Sequence, residues 1–326
     1  MNKLSLPKIA LFLLLFAGFS LGHVTAQDLD ATGAKLNEAN QAFKDGNNQA
    51  ALGLYQQVID MAAKLGEPGA DLLKAAQANI PVIHFNIAKQ LFTETKYDES
   101  VAEFRKAVET GGKFGDESNM KKAKEQIPVV YYSKGNALFK SKDFAGSLTA
   151  HSEAVKEDPS YYKAYYGMGL AQKGLDKMDE MIASMDKAIE LGTAAKDDKF
   201  VGTVKNTAKK YTQAAGAENL AEKKYDNAQK YFDASLKYGE PDAMMYYQYA
   251  LLYNAKKLWD KAIESTNSGL GLEKDTPEDK AKHYYEQGNA YKGKGDTAKA
   301  CAAYKSAKFG KFVQNADYEI KTLKCN

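Results

Sequence analysis

The sequence predicts an all-α chain: a stack of seven helical hairpins closed by a C-terminal capping helix. Three observations predict it. Alanine, lysine and tyrosine are common while proline occurs 7 times in 326 residues, a bias toward helices over strands. A pattern of small and aromatic residues returns in one register along the chain. The expected turns carry Asp45-Gly46-Asn47, Lys142-Asp143 or Gly295-Asp296, good chemistry for ending one helix and capping the next.

The first 26 residues stand apart. Lys3 and Lys8 give a positive start, and Ile9 to Leu21 is apolar except at Gly18 and Ser20. Val24-Thr25-Ala26 supplies the small residues a signal peptidase reads. The segment predicts a cleaved secretory signal over residues 1–26, cut before Gln27, and an exported mature chain 27–326 that is periplasmic or secreted. An uncleaved N-terminal anchor is the second reading. No cysteine lies near the end of the run, which argues against a bacterial lipid anchor. No later stretch is long and apolar enough to span a membrane.

Losing that segment removes Lys3 and Lys8 and no acid, leaving 43 basic against 42 acidic residues. So balanced a chain has no global field to steer nucleic acid, and none is expected as a partner. Of 45 basic residues only Arg105 is arginine, which disfavours a dedicated phosphate- or carboxylate-reading site. The two cysteines, Cys301 and Cys325, form an even pair that an exported protein would oxidise to one disulfide.

The repeat emerges when "YYEQGNAYKGKGDTAKACAAYKSA" from Tyr284 is set against "YYSKGNALFKSKDFAGSLTAHSEA" from Tyr131. Take the glycine of Gly-Asn-Ala as position eight. Small residues then fall there at Ala39, Ala88, Gly135, Gly169, Gly216, Ala250 and Gly288. Position twenty holds Ala51, Ser100, Ser147, Met181, Ala228, Ala262 and Ala300, and position twenty-four Tyr55, Phe104, His151, Met185, Phe232, Thr266 and Tyr304. Small residues let two helices approach, while large ones fill the gap beside them. One pair cannot bury its apolar face alone, so pairs stack.

This register resembles the tetratricopeptide repeat, a helix–turn–helix of about 34 residues. The resemblance covers nearly all of residues 27–326, in seven units starting near 32, 81, 128, 162, 209, 243 and 281, with a cap over 311–326. It implies a right-handed α-α superhelical solenoid. It also disposes of "GNAYKGKG", Gly288 to Gly295, as a phosphate loop: Gly288 becomes a contact residue inside a helix, and no Ser or Thr follows Lys294.

Unit starts are 49, 47, 34, 47, 34 and 38 residues apart, so three gaps carry 13 to 15 extra residues. "KAAQANIPV" at Lys74 and "KKAKEQIPV" at Lys121 are helix-forming, so the flanking helices are expected to lengthen. Shared equally, the extra residues add roughly 10 Å to each helix. Pro81 and Pro128 would kink such a helix or start a new one. The extra turns either deepen the packing or form a ridge that meets a partner. The segment Ala316 to Lys324 is the expected capping helix, with Asn315 as its N-cap. Cys301 and Cys325 lie at matching depths in the last helix pair, so their disulfide would staple the cap.

No catalytic set assembles. "GFSLG" at Gly18 lies in the signal run without the strand–turn–helix that serine hydrolases need. His84 and His151 fill positions usually aromatic, His283 adjoins Tyr284-Tyr285, and no metal-ligand spacing occurs. The chain reads as a non-enzyme without cofactor or metal. The resemblance implies instead a concave face of first helices, where positions five and nine hold Tyr132, Tyr166, Tyr247 and Tyr285, and Asn40, Asn136 and Asn289. Tyr132, Asn136, Tyr166, Tyr247, Tyr285 and Asn289 are the candidate partner-binding residues: tyrosine gives large contacts at low entropy cost, and asparagine can pair with a peptide backbone. The family's clamp for chaperone-tail carboxylates is not matched, because Tyr132 stands where a lysine is needed and Arg105 is on a second helix. The expected function is a non-catalytic protein–protein interaction scaffold in a bacterial cell envelope. The alternatives are carbohydrate or small-ligand binding in the tyrosine-lined groove, or a self-associating structural protein.

Overall fold

The computed structural model describes residues 26–274 and 276–326, all of whose regular elements are helical. The expected signal segment lies outside the described residues except for Ala26. The chain divides into two compact units, Met1–Glu125 and Gln126–Asn326.

The first unit holds α1 (Ala26–Lys44), α2 (Asn48–Leu65), α3 (Ala70–Thr93) and α4 (Tyr97–Phe114), followed by the start of α5 (Glu117–Lys140). α1 pairs with α2 and α3 with α4, and α2 packs on α3. Its core gathers Ala39, Ala51, Tyr55 and Val58 with Ile80, Ile83 and Ile87.

The second unit takes the rest of α5, then α6 (Phe144–Glu157), α7 (Tyr162–Gly174), α8 (Met178–Ala194), α9 (Asp198–Ala221), α10 (Tyr225–Ser235), α11 (Ala243–Ala255), α12 (Trp259–Leu272), α13 (Pro277–Lys294), α14 (Thr297–Ser306) and α15 (Val313–Thr322). Even-numbered helices from α6 to α14 are the second members of hairpins. α15 packs on α14 as a single closing helix, and Asn315 lies inside it rather than capping it.

Helix lengths correct the equal-sharing expectation. α3, α5 and α9 each span 24 residues, against 13 for α7 and α11. Each begins 11 residues before its expected unit start at 81, 128 or 209, adding about 16 Å at 1.5 Å per residue. The preceding second helices gain only about one turn. They are stopped by Gly66, Gly115 and Lys196, which take positive φ. Pro81 and Pro128 lie inside α3 and α5 and start no new helix.

The seven hairpin turns share one geometry. Gly46, Thr95, Lys142, Asp176, Lys223, Lys257 and Gly295 each take φ between +56° and +80°. The N–H of the following residue bonds back five residues, as Asp143 does to Leu138 at 2.9 Å and Asp296 to Tyr291 at 2.9 Å. The positive-φ residue itself bonds back three, as Lys142 does to Phe139. This pair satisfies two carbonyls that a helix end leaves without partners. Asp143 and Asp296 then cap the second helices α6 and α14 through their side chains, and Asp197, Asp242 and Thr276 cap the first helices α9, α11 and α13 after the connections between hairpins.

Within a hairpin, position eight meets position twenty-four. A Cβ on Gly135, Gly169, Gly216 or Gly288 would lie 2.3–2.8 Å from His151, Met185, Phe232 or Tyr304 respectively. Successive hairpins interlock in the same way, with Phe144 over Gly174 and Trp259 over Gly293. Dense packing of this kind leaves no room for a methyl group.

Candidate interaction face on the first helices

All six candidate contact residues sit on first helices of the second unit: Tyr132 and Asn136 on α5, Tyr166 on α7, Tyr247 on α11, and Tyr285 and Asn289 on α13. All six are half-buried. The Tyr132 ring lies 5.5 Å from Tyr161, edge to face, and 5.4 Å from His151. Asn136 follows the glycine that receives His151. Tyr166 reaches the neighbouring first helix, with its hydroxyl 3.3 Å from Thr207 Oγ1 and its ring against Phe200.

The structure draws Tyr247, Tyr285 and Asn289 together around a residue that the sequence reading passed over, Glu286. Only 5% exposed, Glu286 accepts from Asn254 Nδ2 at 2.9 Å and Asn289 Nδ2 at 3.1 Å. Burial raises its carboxyl above the usual range, and the two amides only partly offset this. Burial also pushes the Tyr247 phenol up to about 12, aided by the Glu286 charge and Tyr285. The Oδ1 of Asn254 is buried without a partner. The signal was a glutamate at position six, where Gly167 and Ala214 stand in earlier units. Tyr132, Asn136 and Tyr166 are not part of this cluster.

Two candidates have internal duties. Asn289 Oδ1 accepts from the Tyr304 hydroxyl at 2.8 Å, so both ends of its amide are engaged. Asn40 accepts from Tyr55 in the same relation. Tyr285 packs on Tyr304 at 5.6 Å and on Phe312, ahead of α15, at 5.5 Å, so the C-terminal cap covers its ring. Lys292 adds an ion pair to Glu319 of α15 at 2.5 Å.

Cys301 on α14 and Cys325 beyond α15 are joined as a disulfide, with Cα atoms 5.6 Å apart. Buried histidines are packing residues. His151 is wedged between Gly135 and Gly167, and burial drops its pKa to about 4. His283 fits over Gly269 and meets Glu273 at 3.2 Å. Among the described residues, no three His, Cys, Asp or Glu side chains are grouped to hold a metal ion, and no helix is long and apolar enough to cross a membrane.

Stacked helical hairpins with small residues at position eight define a helical repeat protein. Tetratricopeptide repeat family models match residues 162–191 and 208–270, and those segments carry tetratricopeptide repeats. Two curated relatives are the heat shock protein STI1 of Saccharomyces cerevisiae and the Hsp70-Hsp90 organizing protein of Triticum aestivum. The first is 33% identical over 106 residues, 32% of this chain and 16% of that protein. The second is 25% identical over 205 residues, 57% of this chain and 33% of that protein. The chain therefore spans no more than a third of either relative. Among solved structures, the C-terminal part of a TPR repeat-containing protein from Cytophaga hutchinsonii shares 18% identity and a TM-score of 0.40, covering 87% of this chain and 99% of its own. A tetratricopeptide repeat protein from Parabacteroides merdae shares 14% identity and a TM-score of 0.30, covering 91% and 99%. Tetratricopeptide repeat proteins bind protein or peptide partners and are generally non-catalytic.

Proposed function

We propose that this chain is an exported, non-catalytic scaffold of a bacterial cell envelope, holding an extended segment of a partner protein against the first helices of residues 126–326. The observation that carries the proposal is the placement of Tyr132, Tyr166 and Tyr247. Each is half-buried, with its ring held by a neighbouring side chain: Tyr161 for Tyr132, Phe200 for Tyr166 and His283 for Tyr247. Rings fixed before binding lose little entropy when a partner covers them. Export rests on the sequence of residues 1–26.

The curated relatives' names raise a chaperone as partner. A carboxylate clamp is not part of this proposal, because Tyr132 stands four residues before Asn136 and Arg105 belongs to α4, a second helix. The test is a pull-down from envelope extract with the full chain and with a Tyr132→Ala/Tyr166→Ala/Tyr247→Ala variant, whose fold is checked by circular dichroism. A partner retained by the wild type and lost from the variant is the expected result. A partner retained equally by both would remove the binding site from this face.

A further inference from the structure

Glu286 on α13 is buried, and the groups that bond its carboxyl are neutral amides. Asn254 of α11 and Asn289 of its own helix both donate to Oε2, at 2.9 and 3.1 Å. Asn254 Nδ2 also donates to the Glu286 backbone carbonyl at 2.9 Å. The Asn254 amide is therefore held at Glu286 by its nitrogen, while its Oδ1 is buried without a partner. A buried acceptor in that condition calls for a donor.

The surroundings offer no counter-charge. Tyr247 from α11, Tyr304 from α14 and Tyr285 of α13 are the phenols that feel the Glu286 charge. On the α15 side, Glu319 is paired with Lys292 at 2.5 Å. On the α12 side, Glu273 takes both Lys282 and His283, and Asp260 takes Lys294. Burial raises the proton affinity of Glu286, two amide hydrogen bonds oppose it, and no cation contributes among the described residues. An ionised Glu286 is thus a buried charge steadied by amides alone.

One event answers both needs. A carboxylic acid and a primary amide each offer a donor and an acceptor side by side, and so are complementary. Oε2 already receives Asn254 Nδ2. A proton on the other oxygen, Oε1, supplies the donor that Asn254 Oδ1 lacks, and the buried charge disappears in the same step. An unmet buried acceptor and an uncompensated buried charge are both costly, so the two gains add. A proton is also small enough to reach a carboxyl that is 5% exposed, where a side chain of a partner is not.

We propose that Glu286 and Asn254 form a proton-operated latch between α13 and α11: as pH falls, Glu286 takes a proton from solvent and donates it to Asn254 Oδ1, and as pH rises the latch opens. No other bond changes. α11 and α13 are packed first helices, so the latch sets how firmly the segments bearing Tyr247 and Tyr285 are tied. Any effect on a bound partner rests on the first-helix reading above, whereas the latch itself does not. The folded carboxyl holds its proton more tightly than the unfolded one. Its contribution to stability is therefore complete below the unfolded value and is lost as pH rises through the folded one.

The test needs no partner. Carbon-13 NMR follows the labelled glutamate and asparagine side chains of the full chain from neutral to acid pH, with Glu286→Gln and Asn254→Ala assigning the two signals. The Glu286 carboxyl carbon is expected to titrate at higher pH than that of a glutamyl model peptide, and the Asn254 amide carbon to move with the same midpoint. Urea unfolding of wild type and Glu286→Gln then follows over the same range. The variant's amide donates to Asn254 Oδ1 at every pH and does not titrate, while His151 is common to both chains and cancels. The folding equilibrium constant of wild type relative to the variant is expected to fall as pH rises, by up to about tenfold per pH unit, the limit for one proton. The proposal is overturned if the Glu286 carbon titrates no higher than the model peptide, if the Asn254 carbon does not follow it, or if the relative stability is constant with pH.

Discussion

The Tyr304 hydroxyl donates to Asn289 Oδ1 at 2.8 Å, one residue beyond the glycine that its ring packs against. One side chain therefore fixes the spacing of α13 and α14 by shape and the register by a directional bond. Asn289→Ala leaves that hydroxyl without its partner, at a cost of about 1–3 kcal/mol. Tyr304→Phe removes the donor and keeps the ring. A double-mutant cycle read by urea unfolding is expected to give a coupling of about 1 kcal/mol between the two. Additive effects would show that the bond contributes nothing to the fold.

Glycines with and without neighbours should respond oppositely to alanine. A Cβ on Gly216 would meet the buried Phe232 ring at 2.3 Å, whereas Gly202, in the same helix, has nothing within 4 Å. Gly216→Ala is expected to lose about 1–3 kcal/mol through overpacking. Gly202→Ala is expected to gain up to about 1 kcal/mol from helix propensity. Thermal unfolding midpoints of the two variants should move in opposite directions.

His151 should make the fold sensitive to acid. Burial lowers its folded pKa to about 4 from an ordinary value near 6.5. The unfolded chain thus binds the extra proton first as pH falls. The stabilisation is complete above about pH 6.5, declines through the interval down to about pH 4, and amounts to roughly 3 kcal/mol by linkage. His151→Met places there the residue that Met185 supplies against Gly169 one hairpin later. Stability measured from pH 7 to pH 4 should fall less steeply in this variant than in the wild type.

Reducing the Cys301–Cys325 bond, which closes a loop of sequence separation 24, is expected to cost ~2–4 kcal/mol. The loss should be local. Hydrogen exchange is expected to accelerate in α15, while the amides of α7 and α8 stay protected. Uniform acceleration along the chain would mean that the cap governs the whole unit.

Repeat register was legible because it rests on side-chain size: Gly216 facing Phe232 is written in the sequence as a small residue sixteen places before a large one. The long α3, α5 and α9 were legible as extra residues, but their division was not. It depends on where Gly66, Gly115 and Lys196 turn the chain, and lysine gives no warning of positive φ. The candidate face was less legible. Tyrosine and asparagine look alike in a sequence whether they face a partner or each other. The co-occurrence of Asn40 with Tyr55 and of Asn289 with Tyr304 was the available clue, and His151 opposite Asn136 marks the hairpin that lacks it. That Phe312 covers Tyr285 is a tertiary fact, which no periodicity contains.

Within each unit, every substantial helix contact joins elements one or two places apart in the chain. Such connectivity keeps contact order low, so native pairings form without distant segments having to find each other. Each hairpin can close as soon as its own second helix exists, and the next docks on a surface already made. The resulting kinetics should be fast and segmental. Added residues such as the 11 that extend α3, α5 or α9 lengthen a local search, where in a β-sandwich they would lengthen a global one.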